Sequence, residues 1–138
     1  DMLGVARSSL EAAGLTHCHV RQGDLYSLPY EDASFDVVVV HQVLHYVDDV
    51  ASALIEASRV LAPDGRMIIA DFARHEVEDL RTQQQHRRLG FNDTDLDTSF
   101  ERAGLHREQL HHLGGKPLTV AIWLALKPEE SLKAETAA

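Results

Sequence analysis

The sequence is poor in the features that mark secreted and membrane proteins. Its 138 residues include a single cysteine, Cys18, so no disulfide can form within the chain. No apolar run reaches the roughly 20 residues that a membrane-spanning helix needs, and no charged start precedes the apolar segment of a signal peptide. We therefore expect a cytoplasmic protein that makes no contact with a membrane.

Positive charge is scarce as well. Lys and Arg number 13 against 22 Asp and Glu, which gives a formal net charge of -9 at pH 7. Because a surface of this sign repels phosphate backbones, we expect this segment to make no direct nucleic-acid contact. Hydrophobic residues make up 44% of the chain, enough for one domain with one core. We assign residues 1–127 to that domain and residues 128–138 to a frayed tail.

Helical and strand patterns alternate through the first half of the chain. The predicted elements are a helix at 1–13, a short strand at 17–22, a strand at 35–40, a helix capped by Asp48 or Asp49 and ended by Pro63-Asp64-Gly65, and a strand at 67–70. The strands at 35–40 and 67–70 contain the unbroken apolar runs Val37–Val40 and Met67–Ala70, which are typical of strands covered on both faces in a parallel sheet.

The second half of the chain ends differently. A polar helix is predicted at 74–89, and a short helix around Phe100 is stopped by Gly104. Residues 105–113 and 118–126 flank a Gly-rich turn, which predicts an antiparallel hairpin. Its second strand is almost wholly apolar and should be interior, whereas its first is polar and should lie at an edge. The whole pattern predicts the α/β class, with a mostly parallel sheet and a C-terminal antiparallel hairpin.

Several short motifs stand in one order along the chain. They are Gly23-Asp24 with Leu28-Pro29, then Phe35-Asp36-Val37-Val38, then Leu44-His45, then Arg59-Val60-Leu61-Ala62-Pro63-Asp64-Gly65. With the closing hairpin, this order resembles the class I S-adenosylmethionine-dependent methyltransferases over about residues 1–126. The resemblance implies a Rossmann-like methyltransferase fold with S-adenosylmethionine as cofactor. It also implies an enzyme that transfers the methyl group to a small-molecule acceptor.

A narrower resemblance rests on residues 71–75, 80–81 and 86–91. These residues resemble a bacterial subgroup in which a methyltransferase domain follows a winged-helix, repressor-type DNA-binding domain. Two alternatives to an active enzyme therefore stay open. One is a metabolite-binding effector module of a transcriptional regulator, and the other is an inactive truncated fragment.

The resemblance also implies what this chain lacks. Asp1 corresponds to the start of the helix after the family's second strand, so we expect the first two strands to be missing. The Gly-rich loop that approaches the cofactor and the acidic ribose contact would be missing with them. In the family's strand order these strands lie between the third and the fourth, so residues 35–40 would have an open edge. We expect a strand-exchanged homodimer or a companion segment to cover it.

Candidate site residues lie where strands end, because open α/β sheets bind ligands outside the carboxyl ends of their strands. The resemblance implies cofactor contacts by Asp24, Leu25 and His41, and substrate contacts by His45 and Asp71. Structural interpretations stay open beside these roles: Asp24 can form a turn, either histidine can be packed, and Asp71 can cap a helix. No catalytic base is assigned.

The nine histidines do not predict a metal site, because they are dispersed along the chain. His41 and His45 have the spacing of one helix face, but the Glu of a metalloprotease motif is absent between them. We therefore expect no bound metal.

Overall fold

A computed structural model describes residues 2–75, 89–115 and 118–129 of the chain. Its elements are α1 (Met2–Ala12), β1 (Phe35–His41), a 3-10 turn (Leu44–Tyr46), α2 (Val50–Val60), β2 (Leu61–Phe72), α3 (Asp97–Arg102), β3 (His106–Leu113) and β4 (Val120–Leu126). Among the described helices, none combines the length and the apolar composition needed to cross a bilayer.

Four strands form one sheet in the order β1-β2-β4-β3. β1 pairs with β2 in parallel, whereas β4 runs antiparallel to both β2 and β3. The predicted α/β fold with a closing antiparallel hairpin is confirmed, with β4 in the interior and β3 at an edge. β1 forms the other edge, so the parallel part of the described sheet is the β1–β2 pair. Among the described residues, this arrangement fits the part of a Rossmann-like methyltransferase sheet from its fourth strand to its last.

α2 packs against the sheet through an apolar face. The sequence predicts a buried stripe of Val50, Leu54, Ala57 and Leu61, and all four are buried, although Leu61 belongs to β2. The helix begins after Asp49, whose side chain accepts a hydrogen bond from the Ser52 N–H at 3.1 Å. The predicted cap and the predicted buried face are therefore both confirmed.

The expected helix end at Pro63-Asp64-Gly65 is corrected by the structure. α2 ends at Val60 and β2 begins at Leu61, so these three residues belong to an irregular first part of β2. A Cβ atom at Gly65 would lie 2.7 Å from the Ala62 oxygen and 2.9 Å from the Asp36 oxygen. Glycine therefore stands here because it lets β1 approach the start of β2.

The core lies between α2, α3 and the sheet. At its centre is the fully buried Trp123 of β4, whose ring N–H donates to the Asp93 carbonyl oxygen at 3.1 Å. The Phe91 ring meets the Trp123 ring edge-on, with 6.2 Å between centroids. Other apolar side chains with less than 2% exposure are those of Phe100, Leu44, Leu54, Val60, Leu61, Met67, Ile69 and Leu96. Burial of one such side chain contributes about 1.5–3 kcal/mol, so most of the stability should arise here.

The short strand predicted at residues 17–22 is wrong, because that segment forms no strand in the structure. A strand requires a hydrogen-bonded neighbour. Within the described sheet, β1 pairs with β2 alone, so the strands that would separate β1 from residues 17–22 are not among the described elements. The segment, in which Val20 is the one β-branched residue, thus stays irregular.

β1 is covered on one face, although the unbroken apolar run predicted cover on both. Val38 and Val40 pack against the core, whereas Val37 and Val39 are 52% and 59% exposed. α1 buries none of its residues, so it does not supply the missing cover. The open face and the open edge of β1 therefore occur together.

Three predictions concern residues outside the described ranges. The polar helix predicted at 74–89 falls mostly on residues 76–88, the hairpin turn includes 116–117, and most of the tail is 130–138. These parts of the predictions stay untested.

Candidate functional site

The carboxyl ends of β1 and β2 meet at one edge of the sheet. His41, the last residue of β1, pairs in register with Ala70 of β2. The next residue, Gln42, has φ of 52° and donates its N–H to the Ala70 oxygen at 2.7 Å. A left-handed conformation costs a non-glycine residue about 1–2 kcal/mol, and such strain is common at functional sites. This constrained strand end brings the residues that follow β1 next to those that end β2.

His45 and Asp71 form a buried pair at this edge. The His45 Nδ1 atom lies 2.7 Å from Asp71 Oδ1, and the two side chains are 2% and 0% exposed. Asp71 Oδ1 also accepts the Phe72 N–H at 2.8 Å. Asp71 Oδ2 is buried and has no hydrogen-bond partner among the described residues. A buried carboxylate oxygen in that state is costly, so its retention here points to a specific role.

The His45–Asp71 pair can fix both the orientation and the tautomer of the imidazole ring. A carboxylate that accepts from Nδ1 orients the imidazole and favours the tautomer in which Nε2 is the basic nitrogen. The His45 ring is also packed against the rings of Tyr46 and Phe72, with centroids at 4.1 Å and 4.9 Å. Because solvent is excluded, the hydrogen bond is stronger than it would be in water. The arrangement therefore holds one imidazole in a fixed orientation.

A mostly apolar cleft of about 190 Å³ lies beside the end of β1. The loop before β1 and the inner face of α2 form its other walls. Residues that line it include Leu25, Leu28, His41, Leu44 and Leu54. The structure thus brings together two of the predicted cofactor residues, Leu25 and His41.

Asp24 does not line this cleft. Its Oδ1 atom accepts the Tyr26 N–H at 2.8 Å, and its carbonyl oxygen accepts the Ser27 N–H at 3.0 Å. These contacts are those of a turn-forming aspartate. These contacts within the chain leave the predicted cofactor contact of Asp24 untested.

A larger cavity of about 560 Å³ lies at the start of α2. Its lining combines charged groups with apolar ones, and includes Asp48, Asp49, Arg74, Phe91 and Asp95. Because α2 starts just after the end of β1, and Arg74 follows β2, this cavity also belongs to the carboxyl edge of the sheet.

Two features of the site were missed at the sequence level. The direct bond between His45 and Asp71 joins residues 26 apart, which were predicted as separate substrate contacts. Their positions could have indicated this hydrogen bond, since His45 follows β1 closely and Asp71 lies near the end of the neighbouring parallel strand β2. The contacts of Glu56 and Arg59 with the loop before β1 were also missed, although their i,i+3 spacing on a helix suggested a pair.

Metal ligands do not cluster in the part of the chain that the structure describes. There, no group of three or more His, Cys, Asp or Glu residues is placed to hold an ion.

Comparison with known families identifies the chain's class. Residues 1–69, half of the chain, match the family described as "Methyltransferase domain". The chain therefore belongs to the class I S-adenosylmethionine-dependent methyltransferases, the family that its motif order resembled, and the cofactor of that family is S-adenosylmethionine.

Two relatives show how much of a whole protein the chain represents. The uncharacterized protein YafE of Escherichia coli K12 is 39% identical over 84 residues, which are 59% of this chain and 41% of YafE. The uncharacterized methyltransferase YcgJ of Bacillus subtilis 168 is 37% identical over 71 residues, which are 51% of this chain and 28% of YcgJ. The two sequence matches thus span less than half the length of either relative.

Solved structures agree on the fold. The YcgJ structure matches with a TM-score of 0.76 and 20% identity, covering 93% of this chain and 79% of that one. The [4+2]-cyclase SpnF matches with a TM-score of 0.78 and 19% identity, covering 92% of this chain and 62% of that one. At such identities the likeness shows the fold alone, and function is argued from the site.

Proposed function

We propose that the domain to which this chain belongs transfers a methyl group from S-adenosylmethionine to a small-molecule acceptor. One observation carries the proposal. In a chain of the methyltransferase family, His41, His45 and Asp71 converge on the carboxyl edge shared by β1 and β2, which is where open α/β sheets bind ligands.

The cofactor side of the proposal uses the apolar cleft. S-adenosylmethionine carries its reactive methyl group on a cationic sulfur, so aligning the acceptor contributes much of the rate. An apolar wall that includes Leu25 and Leu28 suits the faces of an adenine ring. Asp24 and the backbone N–H of Leu25 are proposed to meet its polar edge. His41, which is exposed at the end of β1, is proposed to lie toward the methionine part.

The acceptor side of the proposal uses the buried pair and the larger cavity. A cavity of about 560 Å³ is within the usual size range of small-molecule sites. His45 and Asp71 are too buried to reach an acceptor that stays in solvent. They do not line that cavity and are therefore proposed to shape the sheet edge beside it. A general base from the exposed His41 would serve an acceptor that must lose a proton.

Calorimetry with S-adenosylmethionine tests the proposal directly. The titration would compare this 138-residue chain with a hybrid in which the YcgJ segment that precedes its match is fused ahead of Asp1. We expect tight binding by the hybrid and weak binding by the chain, because the chain is proposed to hold only part of the site. Tight binding by the chain would contradict the incomplete site, and no binding by the hybrid would contradict the proposed function.

Neither alternative function is favoured by the comparisons. An effector module or an inactive fragment would have the same fold. The family match and the His45–Asp71 pair give neither alternative specific support. The winged-helix subgroup, the absence of nucleic-acid contact and the cytoplasmic location stay predictions. Cell fractionation and a DNA-binding assay of the whole protein would test them.

The open edge of β1 leads to a proposal about partners. Val37 and Val39 are more than half exposed, and β1 has a neighbour on one side within the described sheet. We propose that a second copy with exchanged strands, or a companion segment, covers this edge. Light scattering would measure the solution mass. A monomer whose residues 17–22 form a protected strand would contradict the proposal.

The proposed domain boundary at residue 127 rests on the contacts of Lys127. Its N–H donates to the Gly65 oxygen at 3.0 Å and its carbonyl accepts the Asp64 N–H at 2.8 Å. Its ammonium group donates to the Ser58 and Leu61 oxygens. We therefore propose that residues 1–127 form the domain and 128–138 a tail. Limited proteolysis should remove the tail first.

A further inference from the structure

We propose that Glu56 and Arg59 of α2 are positioning residues for the loop that carries the adenine contacts. This inference rests on the proposed function and extends it to two side chains outside the ligand's reach. The loop, residues 23–34, contains no helix or strand apart from an isolated bridge between Asp24 and Ser27. Its position must therefore come from contacts with other elements.

Leu28 is the point at which the loop is held. Its N–H donates to Glu56 Oε1 at 2.9 Å, and its carbonyl oxygen accepts from an Arg59 terminal nitrogen at 3.1 Å. Both backbone polar groups of Leu28 are thus bonded to side chains of α2. Arg59 also donates to Asp32 Oδ1 at 2.6 Å, which holds the far end of the loop.

Glu56 and Arg59 also hold each other. The Arg59 Nε atom lies 3.0 Å and 3.1 Å from the two Glu56 carboxylate oxygens, and a terminal nitrogen lies 2.7 Å from Oε1. The Arg59 hydrogen bond lowers the pKa of Glu56, against the opposing effect of burial, and the Glu56 hydrogen bond raises the pKa of Arg59. Both groups are therefore charged at neutral pH, and charge-assisted forked pairs of this kind are geometrically specific.

This contact connects α2 to the cleft. Leu28 lines the cleft together with Leu25, and so do Leu54 and Ala57 on the inner face of α2. Holding the Leu28 backbone therefore sets the distance between two walls of the proposed adenine site. Two side chains on the outer part of α2 would thus control a surface that they do not line.

Two other contacts limit how far the loop would move without the pair. The Ala33 N–H donates to the Arg59 backbone oxygen at 2.9 Å, and the Asp49 N–H donates to the Tyr26 hydroxyl at 3.2 Å. The first does not depend on the Arg59 side chain. Loss of the pair should therefore loosen the segment around Leu28 while leaving the entry into β1 in place.

Amide hydrogen exchange of this chain tests the holding contact. Glu56→Ala removes the acceptor of the Leu28 N–H at a helix position where alanine is well tolerated. The matched control is Glu108→Ala, which removes a similar carboxylate paired with Arg66 at 3.2 Å, at the other edge of the sheet. We expect the Leu28 amide to exchange about tenfold faster in Glu56→Ala and to be unchanged in Glu108→Ala. Unchanged Leu28 exchange in Glu56→Ala would overturn the inference.

A conservative variant separates the holding contact from general destabilisation. Glu56→Gln keeps an oxygen that can accept from Leu28 but loses the charged pair with Arg59. We expect its Leu28 exchange to lie between those of the wild type and Glu56→Ala, with exchange of the β2 and β4 amides unaltered. Equal acceleration at all amides in both variants would show that the pair supports the fold as a whole, and would overturn the inference.

Titration with adenosine tests the positioning role. NMR shifts of the Leu25 and His41 amides report binding even when it is weak. We expect Glu56→Ala to weaken adenosine binding about fivefold or more, and Glu108→Ala to leave it unchanged. Faster Leu28 exchange with unchanged adenosine affinity would overturn the positioning role. The absence of adenosine shifts in the wild-type chain would contradict the proposed adenine contacts of the loop, which the exchange result does not test.

Discussion

Two regions of this chain differ sharply in how they are packed. Residues 2–34 contain no buried residue, although α1 is a regular helix and the region includes several large apolar side chains. The described part of residues 44–127 contains the core cluster, built around Trp123 and Phe100. Both regions are parts of one sequence with an ordinary apolar content. The difference is therefore one of available neighbours and not of composition.

The proposed site residues are divided between these two regions. The family match covers residues 1–69 and so includes the whole loosely packed region. Two proposed cofactor contacts, Asp24 and Leu25, also lie there. His45 and Asp71, by contrast, belong to the packed region. The proposed cofactor contacts thus depend on packing from elsewhere in the chain, whereas the proposed acceptor residues belong to the core.

The largest expected effect is a loss of stability when a side chain of the core is truncated. Phe100→Ala should lower the free energy of unfolding by about 3–5 kcal/mol, because it leaves a cavity beneath α3. Val5→Ala, at a residue that is 66% exposed in α1, should change it by less than about 0.5 kcal/mol. Urea unfolding followed by the fluorescence of the single tryptophan measures both. A similar loss in the two variants would mean that α1 packs in solution.

The second prediction concerns the buried pair. Asp71→Ala should cost about 1–3 kcal/mol, because it removes the acceptor of His45 and of the Phe72 N–H. Asp71→Asn keeps one oxygen that can accept both hydrogen bonds and should retain most of the stability. Thermal unfolding followed by circular dichroism compares them. Equal losses would indicate that the negative charge, rather than the acceptor, is what this position needs.

A smaller effect is expected at the start of α2, where the two regions join. Asp49→Ala should cost about 1 kcal/mol, because the Ser52 N–H loses its cap. Asp49→Ser, which can still accept that bond, is the matched variant. Urea midpoints would measure the difference. No loss in Asp49→Ala would show that the cap is replaced by another contact.

The smallest expected effect is a pH dependence from Glu56. The hydrogen bond from Arg59, opposed by burial, holds the pKa of Glu56 below its usual value of 4.5. Its contribution to stability is therefore full above about pH 4.5 and is lost as the pH falls through the lowered value. Relative to Glu56→Gln, the wild type should be more stable at pH 6 by less than about 1 kcal/mol, and this advantage should shrink as the pH falls below 4.5. An advantage that grows toward low pH would contradict the assignment.

Much of the packed region could be predicted from the sequence. The apolar stripe of α2 predicted its buried face, and the unequal polarity of residues 105–113 and 118–126 predicted which strand is interior. These predictions succeeded because each depends on neighbours that the chain itself supplies. The segment at 17–22 and the open face of β1 were predicted wrongly, because each depends on elements that the described residues do not include.

Members of the candidate site could be proposed one by one from the sequence, but their contacts with one another could not. His45 and Asp71 were identified from their positions at strand ends, yet their mutual hydrogen bond required the register between β1 and β2. Glu56 and Arg59 carry no motif of their own. Their contacts with Leu28 depend on how a loop without regular structure lies on a helix, which periodicity does not encode.

The contacts of Lys127 have a consequence for the order in which the chain can fold. Its ammonium group reaches carbonyl oxygens 69 and 66 residues earlier, at the end of α2 and the start of β2. Closing so long a segment costs conformational entropy before its contacts can stabilise the chain. During synthesis those carbonyls must wait for residue 127. The end of α2 is thus completed late, and a ribosome that stalled before residue 127 would hold a chain in which the Ser58 and Leu61 oxygens still lacked the Lys127 donor.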